Sequence, residues 1–249
     1  MIEINKIYNE NCLETLKKIP DKFIDIVVTS PPYNMNLRIR NGEYCSRQIT
    51  KEFSTKYEGF DDNLPINDYY NLHLRILKEL IRTSSIIFYN IQIVTGSKRA
   101  IFKIIGELSD YLKEIIIWDK GYAQPAMAPN VLNRRSELLL VFDSNYAISR
   151  KFEKANFNRG TLDDIWNIKR AKKKVTSHSA VFPEELVKTI LENFSNENDL
   201  VYDPFMGTGT TALVAKKMNR NYIGSELTYI YYDTILKRLE SLENELVLY

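Results

Sequence analysis

The sequence predicts an α/β fold, in which helices cover both faces of an open, doubly wound and mostly parallel sheet. Short apolar runs alternate along the chain with segments whose apolar residues recur at helical spacing, which is typical of a parallel sheet packed between helices. The 249 residues are 44% hydrophobic, enough to bury one large core. We therefore expect one domain over 1–249 with about seven strands.

Each element follows from its local pattern. The mostly apolar run Ile24–Thr29 (IDIVVT) predicts a buried strand. Leu74, Leu77 and Ile81 recur at helical spacing, which predicts a helix. The same criteria predict further strands at 6–8, 86–91, 115–118, 138–142, 200–202 and 222–225. Helices are predicted at 13–19, 67–81, 97–112, 184–194, 210–218 and 229–242.

Two stretches, 34–63 and 145–178, lack a sustained period. Segments of about thirty residues without regular structure are uncommon in a compact domain and are usually functional or mobile. We expect 34–63 to be a flexible loop. The segment 145–178 carries nine lysines and arginines against three acids, a net +6 in a chain of net charge +2. It is either a solvated basic loop or a contact for a polyanion.

The composition excludes several classes of protein. The first sixteen residues carry acids and no apolar signal stretch, and no window approaches 18 uncharged apolar residues. The two cysteines, Cys12 and Cys45, are too few for a disulfide framework, and with His73 and His178 they form no paired zinc spacing. We expect a cytoplasmic protein with no membrane partner and no metal.

A glycine-rich turn follows the strand predicted at 200–202. In VYDPFMGTGTTA, Asp203 ends the strand, Gly207 and Gly209 lie in the turn, and a helix starts near Thr210. Glycines let a ligand approach the backbone, and a helix start offers free N–H groups to an anion. The motif has no P-loop lysine and does not match GxGxxG. Taken alone, it is either a structural turn or a binding loop.

Glu226 ends the next predicted strand, in YIGSE. An acid at this position hydrogen-bonds ribose hydroxyls in dinucleotide-binding folds. Together, the turn and the acid predict a pocket for an adenosine-bearing ligand whose other end carries a carboxylate and no phosphate.

A second candidate site is TSPPY, residues 29–33, hereafter the TSPPY loop. Two consecutive prolines cannot continue a sheet, so Ser30 and the carbonyl of Pro31 are held with little freedom at a strand's carboxyl end. Ligands bind at that edge of open α/β sheets. The alternative is a plain loop with prolines.

Taken together, these motifs resemble the amino-methylating DNA methyltransferases that use S-adenosyl-L-methionine. The resemblance runs through most of the chain, in NCLETL, TSPPY, IIWDKG, HSAVFPEEL, DPFMGTGTT and YIGSE. Because TSPPY precedes DPFMGTGTT, the order is similar to that of the permuted β class. The resemblance implies one methyltransferase domain over 1–249, with a Rossmann-like seven-stranded sheet in circularly permuted order.

The resemblance implies that the protein methylates an exocyclic amino group of a base flipped out of double-stranded DNA, and that the TSPPY loop holds this base. Ser30 and the Pro31 carbonyl would accept the two amino hydrogens, turning the lone pair towards the methyl group. Tyr33 would stack on the flipped base, and Pro32 completes the catalytic motif. Alignment of the nucleophile with the methyl group would supply much of the acceleration, with little acid–base chemistry.

The resemblance also implies a set of cofactor contacts. Glu226 is assigned to the ribose, and Asn11, where relatives often have aspartate, is placed with Cys12 near the adenine. Phe182 and Pro183 are expected to pack beside the cofactor. The residues assigned to the methionine part are Asp203, Phe205, Gly207, Gly209, Thr210 and Thr211.

The residue at position 30 favours cytosine N4 as the methylated atom. Aspartate there, as in DPPY, is common in adenine-N6 enzymes of the family, whereas TSPPY is typical of cytosine-N4 enzymes. Adenine N6 stays open as the alternative, because a hydroxyl and a carboxylate both accept an amino hydrogen.

Recognition of the DNA sequence is assigned to the basic segment 145–178, where this class carries its target-recognition region, together with the DNA-facing loop 34–63. Trp166 and Phe157 are expected to be packing residues rather than base wedges, and His178 to be structural rather than a catalytic base. The residues expected to contact DNA bases or phosphates are Arg38, Arg40, Arg47, Arg150, Lys151, Arg159, Arg170, Lys172 and Lys173.

Other functions match parts of the pattern. Similar PPY motifs occur in methyltransferases of RNA bases or protein glutamine amides, which usually carry the cofactor motif first. A non-catalytic nucleic-acid-binding module is a further alternative, but the intact DPFMGTGTT motif disfavours it. The chain has no nuclease motif, so we expect a stand-alone enzyme or the partner of a separately encoded restriction endonuclease. It would act as a monomer or homodimer.

Overall fold

The computed structural model describes residues 2–35, 37–40, 43–46, 62–123, 129–145, 149–170 and 182–247. The strands within these ranges are β1 (Lys6–Tyr8), β2 (Ile24–Thr29), β3 (Leu37–Arg40), β4 (Glu43–Ser46), β5 (Ser84–Ile91), β6 (Leu112–Asp119), β7 (Ser136–Asp143), β8 (Ile165–Asn167), β9 (Leu200–Asp203) and β10 (Asn221–Ser225). The helices are α1 (Cys12–Lys18), α2 (Ile66–Thr83), α3 (Lys98–Glu107), α4 (Glu184–Phe194), α5 (Thr210–Lys217) and α6 (Tyr229–Val247).

The main sheet has the strand order β1-β10-β9-β2-β5-β7-β6-β8. Its neighbouring strands run parallel, except that β7 is antiparallel to both β5 and β6. The late strands β9 and β10 lie between the early strands β1 and β2, an arrangement consistent with a circularly permuted order. The predicted α/β fold with a mostly parallel sheet is confirmed.

Helices cover both faces of this sheet, which is why its central strands are mostly apolar. Buried side chains of α4, α5 and α6 form one core cluster, and those of α1, α2 and α3 form the other. Neighbouring residues of β2 alternate between them: Val27 belongs to the second cluster and Val28 to the first. Because a strand buried on both faces has no solvent-exposed side, its sequence is close to a continuous apolar run, with polar residues near its ends.

The structure differs from the sequence prediction in several places. In its described part the sheet has eight strands rather than seven, because β8, within the basic segment, pairs in parallel with β6. Helix α6 ends at Val247 rather than at 242, and β6 starts at Leu112 rather than at 115. Part of 34–63, expected to lack regular structure, forms the antiparallel pair β3 and β4. Helix α3 ends at Glu107 rather than at 112, because Leu112 already pairs with Phe142 in the sheet. Within the described ranges, the helices are too short or too polar to cross a bilayer.

Close packing at Gly224 in β10 gives a first testable prediction. A Cβ atom built there would overlap Cε of Met206 and lie 2.8 Å from Cδ1 of Ile7, and both of these side chains are buried. We expect Gly224→Ala to lower the free energy of unfolding by about 1–3 kcal/mol, because overpacking forces its neighbours to shift. Urea denaturation measures the change.

The matched control is Gly106→Ala in α3, where a Cβ atom meets nothing within 4 Å. That substitution should stabilise the protein by about 0.5–1 kcal/mol, because alanine is the better helix former. Equal effects of the two substitutions would contradict the packing described for Gly224.

Candidate functional site

The carboxyl ends of β2 and β9 lie side by side, as the two motifs require. Ile26 pairs with Val201 and Val27 with Tyr202, so both strands end at the same edge of the sheet. At that edge the hydroxyl of Thr29 donates a 2.6 Å hydrogen bond to Oδ1 of Asp203. The TSPPY loop and the glycine-rich turn are therefore neighbours, although more than 170 residues separate these two hydrogen-bonding residues along the chain.

Asp203 connects three elements at this edge. Besides Thr29, its carboxylate accepts hydrogen bonds from the hydroxyl of Thr211 in α5 at 2.7 Å and from the backbone N–H of Phe205 at 2.9 Å. Burial raises the pKa of the Asp203 carboxyl to about 6, while the three donors oppose that shift. Asp203 thus fixes the start of the turn against β2 and α5.

The turn itself depends on two glycines in the left-handed region, Gly207 at φ 55° and Gly209 at φ 85°. The N–H of Gly207 donates to Oε2 of Glu226 at 2.8 Å, and the N–H of Thr228 donates to Oε1 at 2.8 Å. Burial raises the pKa of the Glu226 carboxyl to about 7. The acid predicted from the sequence is therefore joined directly to the turn.

An open cavity lies between the turn and the N-terminal segment. Asn11, at its wall, accepts the backbone N–H of Leu13 at 3.0 Å and caps α1. Burial raises the pKa of the Cys12 thiol to about 12, so this group stays neutral. The cavity is lined by Glu10, Asn11, Cys12, Pro32, Leu72, Ile76, Pro204, Phe205, Gly207, Ser225, Glu226, Leu227, Thr228 and Tyr231.

The TSPPY loop is held from both sides. The hydroxyl of Tyr69 in α2 donates to the carbonyl of Pro32 at 3.0 Å. Beyond the loop, the buried carboxylate of Asp62 accepts the backbone N–H groups of Asn34 at 2.6 Å and Met35 at 2.9 Å. The chain therefore leaves β2 on a path fixed by α2 and by Asp62, which restricts the position of Ser30.

A buried polar cluster lies behind Ser30, and the sequence did not reveal it. Oγ of Ser30 is 2.7 Å from the hydroxyl of Tyr33, which donates to Oε2 of Glu137 at 2.9 Å. Nδ2 of Asn90 donates to both Tyr33 and Glu137, and Nζ of Lys120 donates to Oε1 of Glu137 at 2.9 Å. Burial lowers the pKa of Lys120, and the charge of Glu137 opposes that shift. This set is hereafter the Glu137 cluster.

The missed residues did carry a signal. Asn90 lies near the carboxyl end of β5, and Lys120 directly follows β6. Glu137 lies at the amino end of β7, which reaches the same edge because β7 is antiparallel to both neighbours. Polar residues at such positions mark the ligand-binding edge of an α/β sheet. The order of the strands, which brings these ends together, could not be read from the local pattern.

Several predicted residues do not line the cavity. Pro183 is the N-cap residue of α4, and Phe182 packs against the core cluster on that side of the sheet. Thr210 is buried, and its hydroxyl has no partner among the described residues. Asp203, Gly209 and Thr211 are also absent from the lining. All of the assigned cofactor contacts stay predictions.

The predicted DNA contacts are spread widely. Arg150 is exposed and lies 3.5 Å from Glu114, near the start of β6 and therefore at the edge opposite Ser30. Lys151 and Arg159 are exposed in the same segment. Arg170, after β8, is close enough for its charge to act on Lys120 at the edge that carries the TSPPY loop.

Other predictions on the basic segment have different outcomes. Trp166 is buried and Phe157 packs against Phe152 and Phe194, as expected for packing residues. Arg38 and Arg40 lie in β3, whose side chains are not described. The predictions for Arg47, Lys172, Lys173 and His178 lie outside the described residues.

Comparisons with known proteins agree with this geometry. A family model described as DNA methylase, of the N6/N4 methyltransferase type, matches residues 24–237. The Type II methyltransferase M.HinfI from Haemophilus influenzae is 28% identical, covering 96% of this chain and 69% of its own length.

Two solved structures are similar in fold. The PvuII DNA methyltransferase, named as cytosine-N4-specific, has a TM-score of 0.72 at 17% identity, covering 98% of this chain and 92% of its own. TTHA0409 from Thermus thermophilus, complexed with S-adenosyl-L-methionine, has a TM-score of 0.64 at 21% identity, with 95% of each chain covered.

Proposed function

Because the chain belongs to the DNA methylase family of the N6/N4 type, we propose that it methylates an exocyclic amino group in double-stranded DNA, with cytosine N4 as the preferred atom and S-adenosyl-L-methionine as the donor. The observation that carries the proposal is the 2.6 Å hydrogen bond between Thr29 and Asp203. It joins the loop that would hold the base to the turn that would hold the donor.

The lining of the cavity suits the proposed cofactor in chemistry. It is mostly apolar and carries a small number of polar groups, among them the Glu226 carboxyl and the Asn11 side chain, as is usual in small-molecule sites. A Cβ atom built on Gly207, which lines the cavity, has no neighbour closer than 3.9 Å, so the backbone there is open to a ligand. We assign the ribose hydroxyls to Glu226 and the adenine side to Asn11 and Cys12. When bound, the cofactor supplies an electrophilic methyl group on its sulfonium.

The proposed role of the TSPPY loop is to prepare the nucleophile. The amino nitrogen of a base is a poor nucleophile, because its lone pair is delocalised into the ring. Ser30 and the carbonyl of Pro31 accept its two hydrogens and direct the lone pair towards the methyl group. Alignment of this kind accounts for much of an enzymatic rate enhancement. Stacking of Tyr33 on the flipped base belongs to the same proposal.

Cytosine N4 is proposed on the chemistry of position 30. A neutral hydroxyl is sufficient to accept one amino hydrogen, whereas aspartate, typical of the family's adenine enzymes, is absent from this loop. Adenine N6 is the second candidate. Arg170, which lies near the edge that carries the TSPPY loop, is proposed to contact the DNA together with Lys172, Lys173 and the DNA-facing loop 34–63. A separately encoded restriction endonuclease is the proposed biological partner.

Sequencing tests the proposal directly. The protein is expressed in a host free of DNA methylation, and the genome is sequenced by a method that distinguishes methylated cytosine from methylated adenine. We expect N4-methylcytosine at one recurring sequence. N6-methyladenine at one site would select the second candidate. Transfer of labelled methyl to RNA or protein, with none to duplex DNA, would overturn the proposal.

The raised pKa of Glu226 predicts a pH-dependent affinity. Ribose hydroxyls donate hydrogen bonds, so they favour the ionised carboxylate, and the carboxyl titrates at about 7. We expect the Kd for S-adenosyl-L-methionine to rise as the pH falls below about 7, by at most about tenfold per pH unit. Calorimetry from about pH 5.5 to about pH 8.5, a range that brackets this pKa, measures the change.

Glu226→Gln is the control, because this variant has no carboxyl at position 226 to titrate. Titration of S-adenosyl-L-methionine itself affects the Kd of both proteins equally, so it cancels in the comparison. The contribution that Glu226 makes to the pH profile should disappear in this variant. Identical pH profiles for the two proteins would refute the assignment of Glu226 to the ribose.

A further inference from the structure

The Glu137 cluster brings an ion pair next to the proposed catalytic serine. Its members come from the ends of β2, β5, β6 and β7, which meet at one edge of the sheet. The side chains of Lys120 and Glu137 are 1% and 11% exposed, and their charged atoms are 2.9 Å apart. Such a buried pair is costly to desolvate and is weak evidence for added stability, so its position beside Ser30 calls for a chemical explanation.

The carboxylate determines the direction of the hydrogen bonds around it, because an ionised carboxylate can only accept them. Oε1 of Glu137 accepts from Lys120, and Oε2 accepts from the hydroxyl of Tyr33 at 2.9 Å. A phenol has a single proton, which this bond uses. In the 2.7 Å contact between Tyr33 and Ser30, the serine hydroxyl must therefore be the donor.

The orientation of Asn90 agrees with this direction. Its Nδ2 donates to Tyr33 at 2.6 Å and to Oε2 of Glu137 at 2.8 Å. Its Oδ1 is buried without a hydrogen-bond partner in the described part of the chain. Buried polar atoms are usually hydrogen-bonded, so an unpaired amide oxygen needs an explanation. The Glu137 carboxylate provides one, because it can accept a hydrogen bond only from the amide nitrogen, which therefore faces it.

We propose that Glu137, held by Lys120, is a positioning residue that makes Ser30 a hydrogen-bond acceptor towards the amino group of the target base. The inference rests on the function proposed above. With the serine proton committed to Tyr33, Oγ can only accept. Nδ2 of Asn90 lies 3.4 Å from Oγ and can use one lone pair, which leaves the other to accept an amino hydrogen. In the reverse direction, Ser30 would donate to the amino nitrogen and occupy the lone pair that has to attack the methyl group.

The test is Glu137→Gln, which keeps the size of the side chain but allows it to donate as well as accept. We expect kcat for methyl transfer to duplex DNA to fall about tenfold, while the Kd for S-adenosyl-L-methionine stays unchanged. Glu107→Gln is the matched control, because Glu107 also accepts from a tyrosine and a lysine, Tyr70 and Lys78, away from the site. It should keep the native kcat.

A second variant separates chemistry from folding. Glu137→Gln leaves the Lys120 charge buried without its partner, which destabilises the fold. The double substitution Glu137→Gln with Lys120→Met removes both charges. We expect this double variant to have a melting temperature close to that of the native protein and a kcat about tenfold lower. If the double variant recovers the native kcat, the carboxylate has only a structural role and the inference is overturned.

A double-mutant cycle with Ser30→Ala tests whether Glu137 acts through the serine. In the Ser30→Ala background, Glu137→Gln should cause no further loss of kcat. A second tenfold loss there would overturn the inference. If Ser30→Ala alone left methyl transfer at the native rate, the proposed function of the TSPPY loop would fail instead, so the two failures are distinguishable.

Discussion

Replacement of Ser30 with alanine is expected to slow methyl transfer about 100-fold, with no change in the affinity for S-adenosyl-L-methionine. The magnitude is that of removing one preorganised hydrogen-bonding group from an active site. Affinity is spared because Ser30 is absent from the cavity lining. Single-turnover methylation of duplex DNA measures the rate, and calorimetry measures the affinity.

Ser30→Thr provides the comparison, because it keeps the hydroxyl at the end of β2. We expect it to recover most of the rate lost in Ser30→Ala. A loss of rate and affinity in equal proportion in the alanine variant would contradict the division into a base-holding loop and a donor-holding turn.

Gly207→Val should impair cofactor binding, whereas Ser30→Ala impairs methyl transfer. We expect it to raise the Kd for S-adenosyl-L-methionine about 100-fold. Gly207 has φ 55°, which a β-branched side chain rarely adopts. Its N–H also donates to Glu226 at 2.8 Å, and the new side chain would extend into the cavity. Calorimetry with the purified variant measures the affinity.

Gly160→Val controls for the backbone strain, because Gly160 has φ 78° with open space around it and lies outside the cavity lining. It should lose comparable stability and keep the native Kd. If Gly207→Val bound the cofactor normally, the turn would not be the donor site.

The sequence predicted the sheet well because its central strands are buried on both faces. Ile24–Thr29 is apolar along most of its length, and the structure gives the predicted bounds. Helix α4 likewise spans the predicted 184–194. By contrast, β8 has three residues, of which only Trp166 is buried. So short an element has no period to detect, and it exists because the edge of β6 is available for pairing.

The two halves of the site were predictable because each carries its own local chemistry. The prolines after Ser30 and the glycines after Asp203 both follow apolar strands, and the structure brings these strand ends together. The Glu137 cluster was not predictable in this way. Tyr33 and Glu137 are 104 residues apart in the chain, and their contact depends on the position of β7 between β5 and β6.

The insertion of β9 and β10 between β1 and β2 also has a consequence for biosynthesis. The flank of β2 that pairs with β9 has no neighbour until about 170 further residues have left the ribosome, which takes on the order of 10–30 seconds at typical elongation rates. Throughout that interval, a nascent chain exposes an open strand edge in the middle of its future sheet. Only a chain that already contains β9 can close it, so a translation product that stops before β9 would be inactive and prone to aggregate.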